Sequence, residues 1–66
     1  MRNEVLLRQK MKLAYQLGVE AYKKGIKTPY LDEKMPKLMV GISSLDTKYI
    51  TEEWNNGYSE ERKSRR

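Results

Sequence analysis

The sequence predicts an all-α protein: a small helical hairpin of two long helices with a short helical or irregular insertion between them. Three observations predict it. Residues 3–24 and 47–63 repeat apolar side chains at helical spacing and contain no proline. Both prolines, Pro29 and Pro36, fall between them and bar one continuous helix. The one run that could be extended, Leu38-Met39-Val40, has no second strand to pair with. With 66 residues, of which 38% are hydrophobic, the chain is one small domain, residues 1–66. A domain of this size buries at best about 60% of its unfolded surface.

In the first helix (3–24), Leu6, Leu7, Met11, Leu13, Ala14, Leu17, Gly18 and Ala21 fall on one broad arc, with Gln9, Gln16 and Glu20 opposite. Within the arc, Leu7, Met11, Ala14, Gly18, Ala21 and Gly25 alternate spacings of four and three, and four of the six are small. A glycine inside a helix costs roughly 1 kcal/mol relative to alanine, so Gly18 marks a place where another element approaches the backbone closely. Lys23 and Lys24 suit the negative end of the helix dipole, and Gly25 can take the left-handed conformation that closes a helix.

The connector (26–46) opens with Thr28 as a candidate cap and Pro29 as the first residue of a short turn. Leu38, Ile42 and Leu45 are spaced as one helical face, which predicts a short helix from Pro36 to Ser43, ended near Gly41. The second long helix (47–63) takes Asp46 as its N-cap and carries Ile50, Trp54, Gly57 and Tyr58 on one narrow face. Folding it back on the first helix lays Trp54, the only tryptophan, over Gly18 and Ala21. The tail beyond Lys63 is expected to fray. Scaffolds this small hold only about 3–5 kcal/mol, which leaves room for a homodimer or another partner as a further source of stability.

Composition excludes most chemistry. Cysteine and histidine are absent, removing disulfides, thiolate and imidazole catalysis and the usual zinc ligands, so no metal and no cofactor are expected. Glu52/Glu53 and Glu60/Glu61 are sequence neighbours, which point about 100° apart on a helix and do not converge on one substrate atom. No Gly-rich phosphate loop ending in Gly-Lys-Ser/Thr occurs, and no serine has a histidine to act as its base. The chain is therefore expected not to be an enzyme. Without an apolar run long enough for a membrane span, or a charged-then-apolar leader, it is expected to be a soluble cytoplasmic protein.

Charge is distributed unevenly. Residues 1–27 hold seven Lys/Arg and two Glu, residues 28–61 three Lys and seven Asp/Glu, and residues 62–66 four Lys/Arg. Basic ends around an acidic middle suit a phosphate-bearing partner, provided the fold brings the ends together. Arg8, Lys12, Tyr15, Val19, Tyr22 and Lys23 share one strip of the first helix, with Lys24 just beyond. The cations would neutralise phosphates, and an exposed tyrosine would stack on an unpaired base. The alternative of equal weight is that Tyr15 and Tyr22 pack under the connector and the cations are only solvated. Arg62, Lys63, Arg65 and Arg66 form a basic tail (62–66) that can order on phosphates. Pro29-Tyr30 is either a recognition corner or, more commonly for such a pair, a turn with its ring tucked onto the core. A rival reading is a small protein-interaction module, of the kind a phage or accessory protein uses to inhibit or modulate a host protein, acting through Met35, Leu38, Met39 and Ile42. No groove-reading motif accompanies the charge to suggest double-stranded DNA.

The combined pattern resembles the ribosome modulation factor family, small basic bacterial proteins of two helices and a connector. Ala14, Gln16, Gly18, Ala21 and Gly25 are similar to the family's first-helix motif, Pro29-Tyr30 to the Pro-Tyr of its connector, and Trp54-Asn55-Asn56-Gly57-Tyr58 to its Trp-x-x-Gly-aromatic motif. The interval from Tyr30 to Trp54 is longer than the family's connector. The resemblance implies binding to ribosomal RNA and proteins of the small ribosomal subunit, near where messenger leaders pair. Translation would then be silenced and ribosomes would hibernate as inactive dimers.

Overall fold

The computed structural model describes residues 4–64, and its elements run α1 (Glu4–Lys24), a 3-10 turn (Pro29–Leu31), α2 (Lys34–Leu38) and α3 (Ser44–Ser64). Helices α1 and α3 pack side by side as the predicted hairpin, and the 3-10 turn and α2 make up the insertion. The molecule is a rod 43 Å long and 19 by 14 Å across.

Helix α1 stops where Gly25 predicts. At φ 79° Gly25 turns the chain left-handed, its N–H donates to the Tyr22 carbonyl at 3.2 Å, and the next N–H, of Ile26, reaches back to Ala21 at 2.9 Å. These are the two bonds of a Schellman motif, which satisfies carbonyls the last turn leaves open.

The connector and the start of α3 differ from expectation by a few residues each. Pro29 does open the 3-10 turn, but the Thr28 side chain makes no capping bond. The short helix is Lys34–Leu38 rather than Pro36 to Ser43. Pro36 fits inside its first turn, where an N–H has no intrahelical acceptor, and Gly41, at φ 76°, turns the chain beyond the helix end. Leu45 is consequently not on the same face as Leu38 and Ile42, and it is 69% exposed. Helix α3 starts at Ser44 rather than Thr47, because the cap is Ser43 and not Asp46. The Ser43 Oγ accepts the Asp46 N–H at 3.3 Å and its carbonyl accepts the Thr47 N–H at 2.9 Å. Asp46 instead sits in the first turn, where its charge favours the helix dipole.

The helices cross on two glycines, one from each. A Cβ on Gly18 would run into the Trp54 carbonyl oxygen and lie 2.9 Å from the Tyr58 nitrogen; a Cβ on Gly57 would run into the Tyr15 carbonyl oxygen and lie 2.8 Å from its carbon. Each helix thus presses a bare Cα against the other's backbone. Ala14 and Ala21 are buried in α1, and Ile50 and Trp54 in α3, with Met35 from α2 closing the cluster. The Trp54 ring stacks on Tyr58, centroids 5.4 Å apart and planes 13° off parallel, and Tyr58 meets Tyr22 edge-on at 5.3 Å.

Two further expectations shift with this narrow contact. Leu6 and Leu13, placed on the buried arc by periodicity, are 44% and 49% exposed, because two helices that meet at backbone distance cover only a thin strip. Of Met35, Leu38, Met39 and Ile42, read as a surface for a protein partner, Met35 is in the core, and the other three pack against it while staying partly exposed.

Substituting Gly18→Ala or Gly57→Ala is expected to destabilise the hairpin by at least the ~1–3 kcal/mol typical of overpacking. Gly25→Ala, with nothing within 4 Å of a new Cβ, is expected to cost only the ~1–2 kcal/mol of a left-handed alanine. Thermal unfolding followed by far-UV circular dichroism checks the order; equal midpoints for Gly18→Ala and wild type would remove the crossing as the main constraint.

Candidate nucleic-acid interface

The crossing fixes which cations meet. Gly57 lies against Tyr15 and Gly18 against Trp54, so each step toward the start of α1 is a step toward the end of α3. Arg8 and Lys12, both exposed, therefore lie at the same end of the hairpin as the exposed Arg62 and Lys63. This is the meeting of basic segments that phosphate binding requires. Arg65 and Arg66 lie outside the described residues.

Tyr15 stands at the crossing, on the side of this end. It is half-buried and, with Arg8, Met11, Lys12, Gln16 and Glu53, lines an open groove of 510 Å³. An aromatic wall beside two cations can stack a base while the cations neutralise neighbouring phosphates. The Glu53 carboxylate, held by Asn56 Nδ2 at 3.2 Å, offers an acceptor on the facing side.

The rest of the predicted strip is not contiguous with this groove. Tyr22 is half-buried and edge-on to Tyr58, so it packs rather than presents a face. Lys23 pairs with Glu20 at 3.8 Å, an exposed contact that leaves the ammonium largely available. Lys23 and Lys24 sit at the connector end, sixteen residues or about 24 Å along α1 from Arg8 to Lys24. Tyr30 is also at that end, and its ring is 91% exposed rather than tucked onto the core.

Two residues that the sequence pattern did not single out hold the connector in place. Asp32, 6% exposed, accepts the Trp54 indole N–H on Oδ2 at 2.9 Å and the Lys34 backbone N–H on Oδ1 at 3.0 Å. The first bond ties the connector to the core; the second is an Asx turn that starts α2. Lys10 reaches from α1 to the carbonyls of Leu38 at 3.0 Å and Val40 at 3.3 Å, supplying cationic donors where α2 ends. A buried tryptophan advertises its need for an acceptor. Nothing in the sequence chose Asp32 among nine acidic residues, and Lys10 looked like any other cation of α1.

Among the described residues no cluster of three His, Cys, Asp or Glu side chains is placed to hold a metal ion, and no helix is long and apolar enough to cross a membrane. No family model, curated protein or solved structure matches the chain.

Asp32→Ala is expected to strand the buried Trp54 N–H and destabilise the protein by about 1.5–3 kcal/mol, the range for hydrogen bonds to charged groups. Chemical unfolding, read by the emission of the single tryptophan, measures this, and a red-shifted native spectrum should accompany it. A stability and spectrum equal to wild type would show that the bond contributes nothing.

Proposed function

We propose that this chain is a non-enzymatic, RNA-binding regulator of translation that associates with the small ribosomal subunit, in the manner of the ribosome modulation factors whose motifs it resembles. One observation carries the reading: the antiparallel crossing gathers Arg8, Lys12, Arg62 and Lys63 toward one end of the rod, and Arg8 and Lys12 share a groove with the half-buried Tyr15. Phosphates of ribosomal RNA are neutralised there, with Tyr15 against an unpaired base. The glycines and Trp54 of the resemblance are the residues that make the crossing, so they support it through packing. Binding of this kind displaces counterions, and its affinity falls with salt by about 0.7–0.9 logarithmic units per phosphate contact for each tenfold rise in salt.

A second reading keeps a specific observation. An open groove of 590 Å³ where α1 and α2 meet is lined by Leu13, Leu17, Val19 and Leu38, with Glu20, Lys34 and Lys37 among its polar residues. It would suit a protein partner, and binding there would depend on apolar contacts and little on salt.

Sedimentation of the purified protein with bacterial ribosomes through a sucrose cushion separates the two. Stoichiometric pelleting with the small subunit at low salt, lost as salt rises and lost in Arg8→Gln/Lys12→Gln/Arg62→Gln/Lys63→Gln, is the expected result. A folded protein that stays in the supernatant at low salt overturns the ribosome reading.

A further inference from the structure

We propose that the cavity beside Tyr30 is a binding site for an unpaired nucleobase bearing an exocyclic amino group. The proposal builds on the RNA-binding reading but concerns the other end of the rod. The cavity has a volume of 270 Å³ and is lined by Pro29 and Tyr30 of the 3-10 turn, Met35, Pro36 and Met39 of the connector, and Thr47 and Thr51 of α3.

Its walls suit a flat ring. Two prolines and two methionines supply rigid and polarisable apolar surface, and thioethers make favourable contacts with aromatic rings. Tyr30 stands at the opening with almost no packing of its own, 91% exposed, although the backbone that carries it is fixed by the Leu31 N–H to Thr28 at 3.2 Å and by Asp32 two residues on. An anchored backbone presenting an unpacked ring is a stacking platform.

The polar atoms set the choice of base. The Thr47 hydroxyl donates to the Ser43 carbonyl at 2.8 Å, and the Thr51 hydroxyl to the Thr47 carbonyl at 3.0 Å. A hydroxyl has one hydrogen, so both Oγ1 atoms are left with lone pairs alone to offer a ligand. A ligand must bring N–H donors to them. The amino groups of adenine, cytosine and guanine do so from the edge of the ring, whereas the one N–H of uracil in a nucleoside, at N3, is flanked on both sides by carbonyl oxygens that would set lone pair against lone pair as it approached.

Charge around the cavity is nearly balanced. Lys27, Lys34, Lys37 and Lys48 lie one or two residues from its lining, and so do Asp32, Glu33, Asp46, Glu52 and Glu53. Recognition there comes from the base and not from phosphate, in contrast to the Arg8 end, and it depends little on salt.

The test titrates the full chain with adenosine, cytidine and uridine, which carry no phosphate, and follows the methyl resonances of Met35, Met39, Thr47 and Thr51 by NMR. Adenosine and cytidine are expected to bind about fivefold or more tighter than uridine, the ratio of one hydrogen bond. Thr47→Val/Thr51→Val, which keeps the side-chain shape, should narrow that ratio to within about twofold, and Tyr30→Ala should weaken all three nucleosides alike. Uridine binding as well as adenosine, or a preference that survives the valines, overturns the proposal. So does a response to N-acetyl-tryptophanamide with the nucleosides silent, which would assign the cavity to a protein side chain. The proposal fails separately from the ribosome reading: nucleoside selection without ribosome pelleting keeps the cavity and removes the ribosome, and pelleting with silent methyls does the reverse.

Discussion

Everything in this fold depends on two backbones being allowed to touch. Gly18 and Gly57 each face a carbonyl of the opposite helix with no Cβ between, and the alanines one turn away on α1 continue the same thin seam. Close approach multiplies weak contacts along the seam, since dispersion between atoms at optimal distance is individually small and collectively large. It also leaves little room for side chains between the helices. The largest buried group, Trp54, therefore goes to the edge of the seam, where its ring stacks on Tyr58 and its N–H meets the connector. A buried indole with no acceptor would be costly, and a carboxylate buried without donors more so. Each solves the other's problem, and the connector is thereby fastened to a core too small to hold it by apolar area alone.

The same seam decides where charge lies. Helices that touch at fixed glycines cannot slide, because a one-residue slip would bring a side chain to where only hydrogen fits. With the register fixed, the basic start of α1 and the basic end of α3 share one end of the rod. Lys10 stands apart from these cations: its ammonium turns to the end of α2 and becomes part of the scaffold.

The hairpin was legible because its signals are local and redundant. Periodicity over long stretches, Gly25 after two lysines, and a mid-helix glycine that only close packing explains all point the same way. The connector was legible in kind but not in detail. Ser43 and Asp46 are both good caps three residues apart, and choosing between them needs the geometry of the turn at Gly41, which no local rule supplies. Periodicity also over-assigned the core: Leu6 and Leu13 match the buried arc in phase, but whether a residue is covered depends on what lies opposite, and a seam of glycines is narrow. For the candidate interface, the strip on α1 was found as a strip and then divided. Tyr22 and Tyr15 look equivalent at seven residues apart, yet the ring of one meets Tyr58 and the other lines the groove of Arg8 and Lys12.

That division has a consequence for how so small a chain would recognise RNA. A protein whose core is one seam has no deep cleft to spend on recognition, and cations alone read no sequence. In the proposed function the two ends of the rod divide the task. The Arg8 end supplies attraction that acts over a Debye length and is sensitive to salt. The Tyr30 end supplies a shaped cavity whose two threonine oxygens, fixed by the helix they belong to, accept and do not donate. The crossing that sets the register of both lies between them. Glu53, in the wall of the Arg8 groove, then disfavours phosphate beside it and leaves that part of the groove to a base.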